Sequence, residues 1–172
     1  CLRLDSRARA AVHDLVRVRL ALTRGKVGSD AVRQPSPDEL EGYARTLRDD
    51  LDNFVGESSS DRHRVDLLFG GGSGLVIVEI VRDTKVRQPI HVLESNDQAS
   101  TQMQTVRSML TERRSQWLYF NRNLRIYDGS KTYILKPLQR LHWTQTQAMQ
   151  DAGEIIADSI QTQSPESTRA IV

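Results

Sequence analysis

The chain has 172 residues, of which 38% are hydrophobic, and a formal net charge of +2 at pH 7. This length predicts one globular domain with an appended helix, and a charge so near neutral means that a basic partner surface must come from local clustering. The single cysteine, Cys1, excludes an intrachain disulfide and a cysteine-based zinc site, and no apolar run approaches the roughly 20 residues of a membrane span. We therefore expect a cytoplasmic protein without membrane contact, and the start at Cys1 predicts a piece of a longer protein.

Residues 1–34 are predicted to form an N-terminal helix and a linker. The apolar residues that recur at imperfect helical spacing are Ala8, Val12, Leu15, Val16, Val18 and Leu22. The arginines among them are Arg7, Arg9, Arg17 and Arg19. The helix is expected either to pack on the domain or to turn a basic face toward phosphate groups. The linker is predicted by the two glycines and two prolines of residues 25–37.

The next helix has a well-defined predicted start. Ser36 can cap it, Pro37 suits its first turn, and Glu39 lies three residues after the cap. Apolar residues at helical spacing continue the helix to about Phe54, and Gly56 is expected to end it.

The remaining elements alternate between strands and helices. The predicted strands are Val65–Phe69, Leu75–Arg82, Gln88–Glu94, Trp117–Phe120, Asn123–Tyr127 and Lys131–Lys136. The predicted helices are Asn96–Arg114 and Thr144–Ile160. The Asp128-Gly129 pair is the strongest hairpin signal in the chain. This order predicts an α/β domain over residues 35–162, with a central mixed β-sheet flanked by helices, and a flexible tail over residues 163–172.

Two of these strands carry one carboxylate each and are joined by a glycine-rich turn. Val65–Phe69 contains Asp66, and Leu75–Arg82 contains Glu79 between apolar neighbours. If the turn is the four residues Gly71–Gly74, Asp66 lies directly opposite Glu79, with the Cβ atoms roughly 5 Å apart on one face. Carboxylates this close repel unless one is protonated or a cation lies between them, so the pattern predicts a site for a hard divalent cation.

Two other interpretations of the acid pair remain open: a structural salt bridge with Arg64 or Arg82, or an exposed sheet edge. The basic residues nearest the pair are Arg62, Arg64, Arg82 and Lys85, and later ones include Arg125, Lys131, Lys136 and Arg140. They predict contacts with nucleic-acid phosphates, the alternative being an ordinary surface of mixed charge. His63 and His91 are expected to be loop or packing residues rather than metal ligands.

This order of elements, with acids on the first two strands, resembles the PD-(D/E)XK nuclease superfamily, in particular the N-terminal nuclease domain of type I restriction enzymes and related restriction proteins. The segments that carry the resemblance are RVDLLF with Asp66, VIVEIVRD with Glu79, and FNRNLRIYDG, within residues 38–136. The resemblance implies a restriction-endonuclease-like fold in which Asp66 and Glu79 hold Mg²⁺ or Mn²⁺ for the hydrolysis of DNA phosphodiesters.

Further site residues follow from the resemblance alone. Gln102, or else Gln104, lies where family members carry a glutamine near the start of the helix after the acidic strands, and Gln102 is expected to assist catalysis. Glu41, or else Glu39, lies where some members add a metal-binding acid from an upstream helix.

The chain departs from the family at Val81, where the family carries a lysine that activates water or steadies the phosphate. Lys85 shares the strand parity of Val81 but follows Glu79 by six residues, so a lysine from elsewhere would have to substitute. We therefore expect a DNA nuclease module of a restriction or defence protein, with other domains or subunits as partners. The alternatives are a catalytically inactive nuclease-fold domain that binds DNA or a partner subunit, and an α/β interaction domain without a nucleic-acid role.

Overall fold

A mixed β-sheet forms the centre of the protein. The computed structural model describes residues 5–23, 30–69, 75–86, 88–93, 101, 104, 108 and 124–163. The strands of this part are β1 (Arg62–Phe69), β2 (Leu75–Asp83), β3 (Ile90–Leu93), β4 (Leu124–Asp128) and β5 (Lys131–Pro137). Their order is β3-β1-β2-β5-β4, in which β3 runs parallel to β1 and all other neighbours are antiparallel. The predicted α/β class with a mixed sheet and flanking helices is confirmed.

The helical elements of the described part precede and follow the strands. They are α1 (Ser6–Asp14), a π-helical turn (Leu15–Arg19), α2 (Leu20–Thr23), α3 (Pro37–Val55), a 3₁₀ turn (Arg140–His142) and α4 (Gln145–Gln163). The first three follow one another without a break, and we call them the N-terminal helical segment, residues 6–23. Among the described residues, no helix is both long enough and apolar enough to cross a bilayer.

The start of α3 is the capping box that the sequence predicts. The Ser36 hydroxyl accepts a hydrogen bond from the Glu39 backbone N–H at 3.3 Å, and the Ser36 N–H donates to Glu39 Oε2 at 2.9 Å. Gly56 follows the helix with φ +84°, a left-handed conformation that glycine adopts without steric cost. Both ends of this helix are therefore determined locally.

The hydrophobic core lies between one sheet face and the pair α3 and α4. Side chains alternate between the faces of a strand, so Val65 and Leu67 of β1 and Val78 of β2 point to the same side. The buried cluster on that side also contains Leu40, Tyr43, Ala44, Leu47, Leu51, Val76, Ile80, Ile134, Trp143, Ala148, Ala152 and Ile155. Residues of opposite parity, including Asp66 and Glu79, therefore lie on the sheet face away from these two helices.

Some predicted elements differ from the structure or lie outside its described residues. The third strand is shorter than predicted, Ile90–Leu93, and the last helix extends to Gln163. Thr101, Gln104 and Ser108 are helical, as predicted for this stretch. The predicted strand Trp117–Phe120, the turn Gly70–Gly74 and the tail from residue 164 lie outside the described residues.

The N-terminal helical segment packs on the domain through one face. Asp14 Oδ2 accepts hydrogen bonds from Thr146 N at 3.0 Å and Thr146 Oγ1 at 2.9 Å, which satisfies a donor in the first turn of α4. Arg7 forms an ion pair with Asp50 of α3, and Val18 is buried. The end of the predicted linker is also fixed, because Ala31 O accepts from Leu141 N at 3.0 Å.

A fully buried ionic cluster connects β5 with α3 and α4. Lys136 Nζ forms an ion pair with Asp151 and lies 3.1 Å from the Tyr43 hydroxyl and 4.2 Å from the centroid of the Tyr43 ring. Asp151 also accepts from Tyr43 OH at 2.6 Å and from Gln147 Nε2 at 3.0 Å. The expectation that Lys136 belongs to a phosphate-binding surface was therefore wrong, because Lys136 shares the parity of Ile134 and points into the core.

This cluster predicts a characteristic dependence of stability on pH. Burial lowers the pKa of Lys136 to about 8, whereas an unfolded lysine titrates at about 10.4, so the unfolded chain binds more protons between these values. The free energy of unfolding is therefore expected to rise with pH above about 8. Burial and Asp151 raise the pKa of Tyr43, so from about pH 10 the unfolded tyrosine loses its proton first and the trend is opposed.

Urea unfolding at pH 7.5, 9 and 10.5 measures this dependence in the wild type and in Lys136→Met. We expect the difference between the two proteins to grow from pH 7.5 to pH 9 because only the wild type gains stability from this lysine. Parallel pH profiles for the two proteins would contradict the prediction.

Candidate active site

Asp66 and Glu79 face each other across the β1–β2 pair. The ladder pairs Asp66 with Glu79 and Phe69 with Val76, which is the register expected for a four-residue turn. Both acids are buried: 4% of Asp66 and 1% of Glu79 is exposed to solvent. The predicted juxtaposition of the two carboxylates is confirmed, and the exposed-edge interpretation is wrong.

The acid pair belongs to a polar row that crosses four strands. His91 of β3 is the ladder partner of Asp66, and Tyr133 of β5 is the ladder partner of Glu79. Because ladder partners point to the same face, the imidazole, the two carboxylates and the phenol lie side by side. The row therefore contains two acids, an imidazole that can carry a positive charge and a phenol that can donate a hydrogen bond.

Asp66 is held by two basic side chains. Arg64 Nε donates to Asp66 Oδ2 at 2.9 Å, and His91 Nδ1 lies 2.9 Å from Asp66 Oδ1. The second nitrogen of the imidazole, Nε2, lies 2.8 Å from Gln88 Oε1, so the ring is fixed from both sides. The salt-bridge interpretation is confirmed for Arg64. His91, expected to be a loop or packing residue rather than a metal ligand, lies in β3 and contacts Asp66.

Glu79 is held by a lysine from the neighbouring strand. Lys131 Nζ lies 2.9 Å from Glu79 Oε1, and Lys131 is the ladder partner of Val81. The ammonium group therefore occupies the neighbourhood that a lysine at position 81 would reach, although it comes from β5. The hydrogen bond with Glu79 raises the pKa of Lys131, which keeps the amine protonated at neutral pH.

Tyr133 completes the environment of Glu79. Burial raises the pKa of Tyr133, and the negative charge of Glu79 raises it further. The phenol therefore stays protonated near neutral pH and serves as a hydrogen-bonding group rather than a base.

The other predicted site residues lie away from the row or outside the described residues. Arg82 points to the opposite sheet face and its guanidinium donates to Asp61 Oδ2 at 2.8 Å. The Arg62 guanidinium donates to the backbone oxygens of Ser59 and Asp61. Lys85 lies in the exposed turn after β2, and Gln102 lies outside the described residues.

The predicted metal ligand Glu41 lies at the β3 edge of the sheet. Its carboxylate forms an ion pair with Arg45 one turn later, and both side chains are more than half exposed. Glu41 and His91 line the same cavity of about 510 Å³, in which Arg45 and Arg48 also take part. The structure therefore brings Glu41 near His91 without joining it to the acid pair.

The donor chemistry of the acid pair fits a hard divalent cation. Two facing carboxylates supply oxygen ligands of the kind that Mg²⁺ and Mn²⁺ prefer, with water completing the shell. Within the described ranges, no group of three or more His, Cys, Asp and Glu side chains converges as a metal site. Arg64 and His91 contact the two oxygens of Asp66, and Lys131 contacts Oε1 of Glu79, so a metal held by both acids would have to replace Arg64 or His91 at Asp66.

Comparison of the chain with protein-family models, with curated proteins and with solved structures finds no match.

Proposed function

We propose that this domain hydrolyses DNA phosphodiesters with Mg²⁺ or Mn²⁺ held by Asp66 and Glu79, as a nuclease module of a restriction or defence protein. The observation that carries the proposal is the placement of Lys131. Its ammonium contacts Glu79, which faces Asp66, and Lys131 is the ladder partner of Val81, the position where the nuclease motif would have lysine. A combination of two acids and one cation on adjacent strands suits the attack of water on a phosphate.

In this proposal the acids of the polar row bind the metal, and the basic residues beside it stabilise negative charge on the phosphate. A divalent cation, when bound, would polarise the phosphate and lower the pKa of a bound water. Lys131 remains protonated, so it acts as a fixed positive charge toward a phosphate oxygen rather than as a general base. His91 orients the Asp66 carboxylate, and Gln88 in turn fixes His91. Gln102 remains the proposed residue for holding the attacking water.

Access to the row favours approach from one end. Arg64 and Lys131 are 35% and 41% exposed at the side chain, whereas the acids that they contact are nearly inaccessible. Arg64 lies two residues from Asp66 along β1, and Lys131 is the ladder partner of Val81, which lies two residues from Glu79 along β2, so both basic groups lie toward the same end of the acid pair and on its face. A substrate phosphate therefore meets Arg64 and Lys131 first, where positive charge favours its binding.

A second candidate function is DNA or subunit binding without catalysis. Asp66 and Glu79 are buried and already neutralised by Arg64, His91 and Lys131. Such a network can be retained as an internal ionic structure once cleavage is lost. This reading predicts no metal binding and no cleavage in the wild type.

Calorimetric titration with Mn²⁺ tests the metal directly. We expect the wild type to bind Mn²⁺ and Glu79→Gln to lose at least about tenfold in affinity, because the variant replaces an anionic ligand by a neutral amide. Glu57→Gln, at an exposed carboxylate in the loop before β1, is the matched control and should leave binding unchanged. Absence of binding heat in the wild type would refute the metal-dependent mechanism.

Incubation with supercoiled plasmid and Mn²⁺ separates the two candidates. The nuclease proposal expects nicked or linear product from the wild type and none from Glu79→Gln. Cleavage that appears only after Val81→Lys would show that this chain lacks the catalytic cation and would favour the binding domain.

A further inference from the structure

The N-terminal helical segment exposes an apolar stripe to solvent. Val12, Leu15, Val16 and Leu20 are 50%, 51%, 55% and 41% exposed. Their spacing of three or four residues places them along one side of the segment. We call this set the apolar stripe. Single exposed aliphatic side chains are normal on a protein surface, but four that lie side by side are typical of a surface that contacts a partner.

The opposite side of the segment is already in use. Arg7 and Asp14 bind α3 and α4, and Val18 is buried. The sequence predicts that Val18 lies on one side with Val12 and Val16, but Val18 is buried whereas Val12 and Val16 are exposed, so they lie on opposite sides of the segment. The segment is therefore anchored to the domain, and the apolar stripe points outward from a fixed support.

Unneutralised positive charge surrounds the apolar stripe. Within the described part of the chain, Arg9, Arg17 and Arg19 are exposed and engage in no ion pair. The arginines that do pair with an acid in this part are Arg7, Arg33, Arg45, Arg48, Arg64, Arg82, Arg125 and Arg140. The acid of the segment, Asp14, and its N-cap residue, Asp5, both form capping hydrogen bonds. An occupant of this surface must therefore supply negative charge.

The apolar stripe also lines part of a shallow cavity. This cavity of about 310 Å³ is lined by Arg9, Val12, His13, Val16 and Arg17. Val12 and Val16 supply its aliphatic part, and Arg9, His13 and Arg17, spaced four residues apart, form a basic row beside them. An apolar side chain can enter between Val12 and Val16 while carboxylates beside it reach Arg9 and Arg17.

We propose that the N-terminal helical segment docks an acidic amphipathic helix of a protein partner. Apolar residues of the partner, three or four positions apart, contact the apolar stripe, and its flanking Asp and Glu residues pair with Arg9, Arg17 and Arg19. This inference is independent of the proposed nuclease function. A two-fold contact with a second copy is disfavoured because it brings two sets of unpaired arginines together. A lipid surface is disfavoured because the exposed side of the segment has no aromatic residue to anchor it in a membrane interface, and because its cavity suits a single side chain.

Selection from a displayed library of random peptides about 16 residues long, long enough for four helical turns, tests the docking on the whole chain. We expect the enriched peptides to combine apolar residues at i and i+4 with Asp or Glu between them. The consensus peptide, measured by fluorescence anisotropy, should bind Arg9→Gln/Arg17→Gln and Val12→Ser/Val16→Ser at least about tenfold more weakly. Ile160→Ser changes an equally exposed aliphatic residue, 53%, outside the apolar stripe and should change binding less than about twofold.

Several results would overturn the docking proposal. These are a selection that enriches no acidic helix, and an equal loss of binding in Ile160→Ser. A third is binding of the wild type to vesicles of phosphatidylglycerol and phosphatidylcholine that Arg9→Gln/Arg17→Gln abolishes, which would assign the surface to lipid. A fourth is a dimer in sedimentation that Val12→Ser/Val16→Ser dissociates, which would assign it to a second copy.

Discussion

Replacing Lys131 by Met is expected to lower the rate of DNA cleavage by about 100-fold or more, the scale of removing one charge-stabilising donor from an active site. The physical reason is that Lys131 supplies the only ammonium group in contact with the acid pair among the described residues. The rate is measured with plasmid under single-turnover conditions, where binding and chemistry are separated. Lys131→Arg keeps the positive charge and should retain part of the activity.

The double variant Lys131→Met/Val81→Lys is the decisive control. Position 81 is the ladder partner of position 131, so the exchange returns an ammonium to the same face from the neighbouring strand. We expect it to recover most of the lost rate. Equal loss in the single and double variants would show that Lys131 stabilises Glu79 without taking part in cleavage.

The largest expected effect on stability comes from Lys136. Replacing it by Met removes the Nζ donor, which even the neutral amine keeps at high pH, and leaves the buried Asp151 carboxylate without this partner, which is expected to cost about 3–5 kcal/mol of unfolding free energy. Chemical denaturation monitored by tryptophan fluorescence, to which Trp143 packed against Tyr43 contributes, measures the loss. Lys85→Met, at an exposed lysine, should change the free energy by less than about 0.5 kcal/mol.

A paired substitution distinguishes an uncompensated charge from a packing defect. Lys136→Met/Asp151→Leu removes both charges and keeps an apolar volume, so it should recover much of the stability lost in the single variant. If the double variant is less stable than Lys136→Met alone, the loss comes from the packing around Tyr43 rather than from the unpaired carboxylate.

The acid pair could be predicted because its geometry is local. A hairpin with a four-residue turn has one register, and that register alone sets Asp66 opposite Glu79. The capping box at Ser36 and the Asp128-Gly129 hairpin are local for the same reason, since a few adjacent residues determine each of them.

The cation beside the acid pair could not be predicted because it depends on pairing between distant strands. Nothing near Lys131 in the sequence states that β5 joins β2, or with which register. His91 was missed for a similar reason, since the parallel pairing of β3 with β1 fixes its place beside Asp66. Lys136 was assigned to the surface because Tyr133, Ile134 and Leu135 are consecutive apolar residues, so the sequence of β5 has no alternation to show which face is buried.

The position of β5 couples the folding of the sheet centre to its charge balance. The β1–β2 hairpin closes a short loop, whereas the pairing of Lys131 with Val81 closes a loop of about fifty residues. If the β1–β2 hairpin forms without β5, Glu79 lacks its partner Lys131, and the two facing carboxylates repel each other. The central strands are therefore most stable when assembled together, and the same two acids that mark the candidate site make its assembly cooperative.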